Sequence, residues 1–210
     1  MKLCTFQTTE ELIFQTLETF RSIFPMLEKN DGVMLAGGRT PLEIYRRAAA
    51  EGLATAGQLF LSDERYVPVT DPQSNFGTIS RSFPMLGKVR TELPIEAAAQ
   101  AFHDDLSLIK RIPLGLLGLG TDGHTASLFN LKDAALRAER LAIPVIKSEK
   151  PDRISVTPTF LHKVEKILIL ATGADKKAMI QTLLEKPETI PAGVALAGHP
   201  DVEVWTDQYL

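Results

Sequence analysis

Asp122 and His124 stand two positions apart in Gly120-Thr121-Asp122-Gly123-His124, directly after an apolar run at residues 114–119. An imidazole of ordinary pKa, about 6.5, is partly neutral near pH 7 and can take a proton from water. A carboxylate two residues away can orient either the ring or the water. The short apolar run, bounded by turn residues, reads as a strand of a parallel sheet covered on both faces. Ligands of such sheets bind beyond the carboxyl ends of the strands, which is where this pair falls. Gly120 and Gly123 permit a sharp turn and a close substrate approach. The same pattern also suits a solvated turn histidine or a local cap.

Three further clusters carry charge and hydrogen-bonding capacity. Gly37 to Glu43 reads Gly-Gly-Arg-Thr-Pro-Leu-Glu, and the spacing predicts a helix start. Thr40 is the expected cap, Pro41 the first helical residue and Glu43 the closure of a capping box. The unpaired N–H groups of the helix start and its positive dipole end would favour a phosphate, with Arg39 as a charged donor. A well-capped helix without a ligand has the same sequence. The second cluster runs from Ser62 to Pro68 and on to Ser74-Asn75-Phe76-Gly77, along a long loop of the kind that often carries function. Here Asp63 can orient hydroxyls, Arg65 can stabilise negative charge and Asn75 can donate to a hydroxyl or carbonyl. Glu64 reads as structural or solvent-facing. The third comprises Arg153 and Lys176, each beside an expected strand. Such residues are usually surface charges, but Lys176 falls in the first turn of an expected helix, where a cation is unfavourable unless an anion is present. Lys177 is an alternative to it.

The elements that must hold these clusters can be read from periodicity. Thr8 and Glu11 have capping-box spacing, and Leu12, Phe14, Leu17, Phe20, Phe24 and Leu27 form an apolar stripe at helical spacing. Strands are expected at 32–36, 58–62, 114–119, 141–146, 154–156, 166–171 and 202–205. Helices are expected after Thr40 and Gly173 and at 79–86 and 95–110. This alternation predicts a three-layer α/β fold with a mostly parallel, Rossmann-like sheet.

The 210 residues suit one domain, residues 1–210, with no linker to divide it. A formal charge of −3 argues against a general nucleic-acid or membrane surface, and no apolar window reaches membrane-spanning length. Glu10 and Glu11 stand where a secretion signal would be apolar, so a cytoplasmic location is expected. The lone Cys4 excludes an internal disulfide and a cysteine-built zinc site, and the histidines at 103, 124, 162 and 199 lack paired metal-ligand spacing. Nothing in the sequence speaks to oligomeric state.

Taken in order, these segments resemble the 6-phosphogluconolactonase family. The resemblance rests on Gly37-Gly38-Arg39-Thr40-Pro41, Asp63-Glu64-Arg65 with Val67-Pro68 and Ser74-Asn75, and above all Gly120-Thr121-Asp122-Gly123-His124-Thr125-Ala126-Ser127-Leu128-Phe129, with Arg153 and Gly173 to Lys176 continuing it. It implies the sugar-phosphate fold shared with glucosamine-6-phosphate deaminases and ribose-5-phosphate isomerases, a phosphosugar lactone as the small-molecule substrate, and no cofactor or metal. By the same resemblance His124 is the base, Asp122 orients the ring or the water, and Arg65 stabilises the oxyanion. Gly38, Arg39, Thr40, Arg153 and Lys176 would hold the phosphate, with Asp63 and Asn75 positioning the sugar. The chain departs from the family pattern at Arg39, at Asn130 and in the short stretch between Asn130 and Arg153. A deaminase or isomerase acting on a sugar phosphate, and a noncatalytic sugar-phosphate sensor, are the competing readings.

Overall fold

The computed structural model describes residues 1–137 and 139–210. Its strands are β1 (Lys2–Thr5), β2 (Asp31–Leu35), β3 (Gln58–Leu61), β4 (Asp63–Arg65), β5 (Arg111–Gly118), β6 (Ala142–Val145), β7 (Arg153–Val156), β8 (Ile167–Leu170) and β9 (Val202–Thr206). The helices are α1 (Thr9–Ile23), α2 (Arg39–Ala50), α3 (Asn75–Ile79), α4 (Ile95–Ser107), α5 (Leu131–Ala134), α6 (Pro158–Leu161), α7 (Lys177–Glu185) and α8 (Pro191–Ala195).

Six strands form one sheet in the order β1-β9-β8-β5-β2-β3, with every pair parallel. Largely apolar strands suit this arrangement: every residue of β2, β8 and β9 is buried, Asp31, Glu203 and Thr206 included, as a sheet covered by helices on both faces requires. From β2 the chain winds outward to β3 and then returns to the other side of β2 through β5. The winding therefore reverses between β2 and β5, which in open α/β sheets opens a crevice at the carboxyl ends.

Strands β4, β7 and β6 form a small antiparallel sheet. The segments expected at 141–146 and 154–156 pair with each other here, and the Asp-Glu-Arg run that follows β3 pairs with β7 as β4. This second sheet is joined to the first through Ser62, whose N–H donates to the Leu35 carbonyl at 2.8 Å and whose carbonyl accepts from Val156 N–H at 2.9 Å.

Several expectations need correction. Helix α2 begins at Arg39 with Gly38 as its cap and no side-chain capping bond, so Thr40 is not the cap and Pro41 is not the first residue. Glu43 closes no capping box, because Arg46 and Arg47 take its carboxylate along the helix face. The helix expected at 79–86 is instead α3, ending at Ile79, followed by turns. The β1 strand had no sequence signal. At the start of α1, Thr8 does cap, accepting from Glu11 N–H at 3.1 Å, while the Glu11 carboxylate reaches back to Gln7 N–H at 2.8 Å.

Tyr45 fixes α2 against the sheet. Its buried hydroxyl donates to the Ala36 carbonyl at 2.9 Å and accepts from the Ala36 N–H at 3.1 Å, and burial pushes the phenol's pKa upward. Both backbone groups at the end of β2 are thereby satisfied one residue before the glycine pair.

Candidate active site

A cavity of about 740 Å³ lies at the carboxyl ends of β2, β3, β5 and β8. Its wall includes Gly38, Arg39, Thr40, Asp63, Arg65, Asn75, His124, Arg153 and Lys176, all of them singled out from sequence. Asp122 stands behind His124, and Lys177 opens α7 outside the wall.

The loop after β5 carries the reactive pair. Gly120 N–H donates to the His124 carbonyl at 2.8 Å and Gly123 N–H to the Gly120 carbonyl at 3.1 Å, so the turn closes on itself. A Cβ on Gly120 would collide with the His124 ring and the Asp122 carboxylate, which makes a side chain there incompatible with the pair. His124 Nδ1 is hydrogen-bonded to Asp122 Oδ1, and the His124 N–H donates to the same oxygen at 3.2 Å. Burial acts to raise the Asp122 carboxyl, but these bonds outweigh it and the group titrates below its ordinary value. An ionised carboxylate can only accept, so Nδ1 carries a proton, and in the neutral ring the lone pair is on Nε2. The Phe129 ring packs on the imidazole at 4.5 Å between centroids, and Lys147 Nζ sits 3.5 Å from the same Phe129 ring.

Two glycine turns flank this loop, after the strands on either side of β5. Gly38 after β2 (φ +115°, ψ 162°) and Gly173 after β8 (φ +97°, ψ 149°) share a backbone conformation that side chains other than glycine's rarely adopt. Each precedes a helical turn with no side-chain cap, which leaves N–H groups free for an anion. The hydroxyls of Thr40 and Thr172 join the two turns at 2.6 Å. Lys176 ends a 3-10 turn, Ala174–Lys176, ahead of α7, rather than lying in the first turn of an α-helix.

The remaining wall is a network that the sequence only partly disclosed. Asp63 accepts from the Ser127 hydroxyl at 2.6 Å and from the Ser62 hydroxyl at 2.9 Å. Asn75 Nδ2 donates to the Asp63 carbonyl at 2.9 Å. Of the two sequence readings of Glu64, the solvent-facing one fails, because the side chain is 1% exposed. Its carboxylate accepts from the N–H groups of Arg65, Asn75 and Phe76, each at 2.7 Å, and from the Ser74 hydroxyl at 3.1 Å. Burial pushes this carboxyl up against four bonds that pull it down. Thr9, Thr172, Ser127 and Phe129 also line the cavity and were not singled out from sequence, apart from their presence in motifs.

One cavity is therefore lined by an aspartate-oriented imidazole, by cations and by two N–H-rich turns. The family model described as glucosamine-6-phosphate isomerases/6-phosphogluconolactonase matches residues 26–205. The chain belongs to this family. Within it, the 6-phosphogluconolactonase of Thermotoga maritima is 36% identical over 181 residues, covering 80% of this chain and 81% of the relative. A crystal structure of 6-phosphogluconolactonase from Thermotoga maritima matches with a TM-score of 0.82 at 29% identity, over 97% of this chain and 96% of the other. A monomeric glucosamine-6-phosphate deaminase has the same fold, with a TM-score of 0.80 at 22% identity over 99% of this chain and 98% of that one. The isomerase/lactonase family is a family of enzymes, and its six-stranded parallel sheet flanked by helices is the architecture described above. Among the described residues no helix is long and apolar enough to cross a membrane.

Proposed function

We propose that residues 1–210 act as one domain that hydrolyses 6-phospho-D-glucono-1,5-lactone to 6-phosphogluconate, the lactone step of the oxidative pentose phosphate pathway. The observation that carries this reading is that His124, held by Asp122, lines one cavity together with the Gly38 and Gly173 turns and with Arg39, Arg153 and Lys176. Relatives named as lactonases support the choice of substrate.

In the proposed reaction His124 Nε2 takes a proton from water as the water oxygen attacks C1 of the lactone. The carbonyl oxygen becomes an oxyanion, stabilised by Arg65 and turn N–H groups. The C1–O bond to the ring oxygen then breaks, the imidazolium returns the proton to that oxygen, and the new carboxylic acid releases its remaining proton to solvent, so that the product leaves as a carboxylate. Asp122 holds the ring in the tautomer that makes Nε2 the base and stabilises the imidazolium as it forms. Gly38, Arg39, Thr40, Arg153 and Lys176 grip the phosphate, and this remote binding aligns C1 with the water. Asp63 and Asn75 orient the sugar hydroxyls. Side chains, backbone N–H groups and water supply every step. The lone, unpaired Cys4 fits a reducing, cytoplasmic setting.

The test is a coupled assay of 6-phosphogluconate formation, corrected for spontaneous lactone hydrolysis. Protein-dependent turnover is the expected result. Binding of 6-phosphogluconate without turnover would make the protein a sensor, and ammonia release from glucosamine 6-phosphate would make it a deaminase.

A further inference from the structure

Three distant parts of the chain meet at one carboxylate outside the cavity wall. Asp207, just past β9, accepts the hydroxyl of Thr9 at one oxygen. Its other oxygen accepts from Gly173 N–H at 2.9 Å and from Gln208 Nε2 at 2.7 Å. Thr9 and Gly173 line the cavity, whereas Asp207 does not. Thr9 and Asp207 both lie beyond the stretch matched by the family model, residues 26–205.

The Gly173 turn needs such a tether. Glycine contributes no side chain to hold its conformation, and the turn closes on itself through Lys176 N–H to the Gly173 carbonyl at 3.0 Å and Lys177 N–H to the Ala174 carbonyl. Where the turn sits relative to the Gly38 turn depends on the Thr172–Thr40 hydroxyl bond on one side and on Asp207 on the other. A negative charge behind an anion-binding turn opposes anion affinity, so charge does not account for Asp207. Its hydrogen-bond geometry does.

We infer that Asp207 is a positioning residue that sets the Gly173 turn, and with it Thr172 and Lys176, at the distance required by the substrate phosphate. This inference rests on the lactonase reading above. Asparagine should serve equally well, since its Oδ1 can accept from Gly173 N–H while the Thr9 hydroxyl rotates to accept from Nδ2.

Steady-state kinetics of Asp207→Ala, Asp207→Asn and Thr9→Val, on 6-phosphogluconolactone and on unphosphorylated gluconolactone, test it. Asp207→Ala should raise KM for the phosphorylated lactone roughly tenfold, with kcat nearly unchanged, through loss of the hydrogen bond that holds the turn. The unphosphorylated lactone should be unaffected, and Asp207→Asn should show a wild-type or lower KM. Equal losses on both lactones, or Asn behaving like Ala, would overturn the inference. Should Asp207→Ala not fold, Thr9→Val decides: a KM rise confined to the phosphorylated lactone supports the tether and an unchanged KM removes it. Titration of 6-phosphogluconate into wild type and Asp207→Ala separates the two readings, because a protein that turns over no lactone can still lose product affinity on substitution.

Discussion

Arg65 and Arg153 stand directly opposite one another across the antiparallel β4–β7 pair, and both line the cavity. Their donors go to carbonyls: Arg65 Nη1 to Gln73 at 2.5 Å, and Arg153 to Pro151 and Asp152. Among the described residues neither is in a salt bridge. Like charges in register repel, and burial together with the Arg65 charge holds the Arg153 guanidinium below its ordinary value. A bound anion would attract both guanidinium groups and offset that repulsion. Arg153→Ala should therefore raise KM for the phosphorylated lactone on the order of tenfold to a hundredfold. Added salt should reproduce part of the loss. Hydrolysis of unphosphorylated gluconolactone should be nearly insensitive, and equal losses on both lactones would detach Arg153 from phosphate binding.

His124→Ala should lower kcat about 10²–10⁴-fold while leaving 6-phosphogluconate affinity in place, since the imidazole moves protons and does not anchor phosphate. Asp122→Asn should also reduce kcat, because an amide can donate to Nδ1 and leave the proton on Nε2. Asp122 titrates below its ordinary value of 3.8, so the wild-type rate should show no break from this carboxylate above that pH. Rate–pH profiles of the two proteins check both statements.

Glu64→Gln should destabilise the fold although it changes one atom. Both carboxylate oxygens accept from N–H groups, so the amide NH₂ must face a donor wherever it points. The cost should be about 1–3 kcal/mol, read from denaturant midpoints. Activity should fall with it, because Asn75 and Arg65 are positioned by this carboxylate. A stable, fully active variant would mean that the loop is held by other contacts.

Acid sensitivity should trace in part to Glu203. Its carboxylate accepts from Lys166 Nζ and Trp205 Nε1, each at 2.8 Å. Burial acts to raise it, but these partners together with Lys2 push it down from 4.5 to about 2. A carboxyl depressed on folding contributes stability above its unfolded value, and the contribution is lost as pH falls through the folded value. The window for Glu203 thus runs from 4.5 down to about 2. Glu203→Gln should melt lower at neutral pH and lose less on acidification across that window, as thermal melts at a series of pH values would reveal.

The middle of the central sheet was legible because β2, β5 and β8 are largely apolar runs followed closely by glycine, and a strand buried on both faces needs little else. The Asp122–His124 turn was legible for the same reason, with chemistry-bearing residues set directly on a strand end. What escaped depended on contacts between distant segments. The capping box at Thr40 failed because Thr172, far along the chain, takes the hydroxyl and because Arg46 and Arg47 outcompete the backbone for Glu43. Glu64 read ambiguously because a charged residue at a strand end is normally solvated, and its burial depends on three backbone donors that pattern does not reveal. Asp207 carried no local signal at all.

The Asp122–His124 turn follows β5, whereas the Gly38 and Gly173 turns follow β2 and β8, the immediate neighbours of β5 on either side. Adjacent strands lie about 4.8 Å apart because backbone hydrogen bonds set the spacing. The sheet is therefore a ruler that side-chain substitution within it cannot regraduate. Adapting this protein to a sugar with a shorter or longer carbon chain would have to proceed by lengthening, shortening or re-tethering the turns above the strand ends.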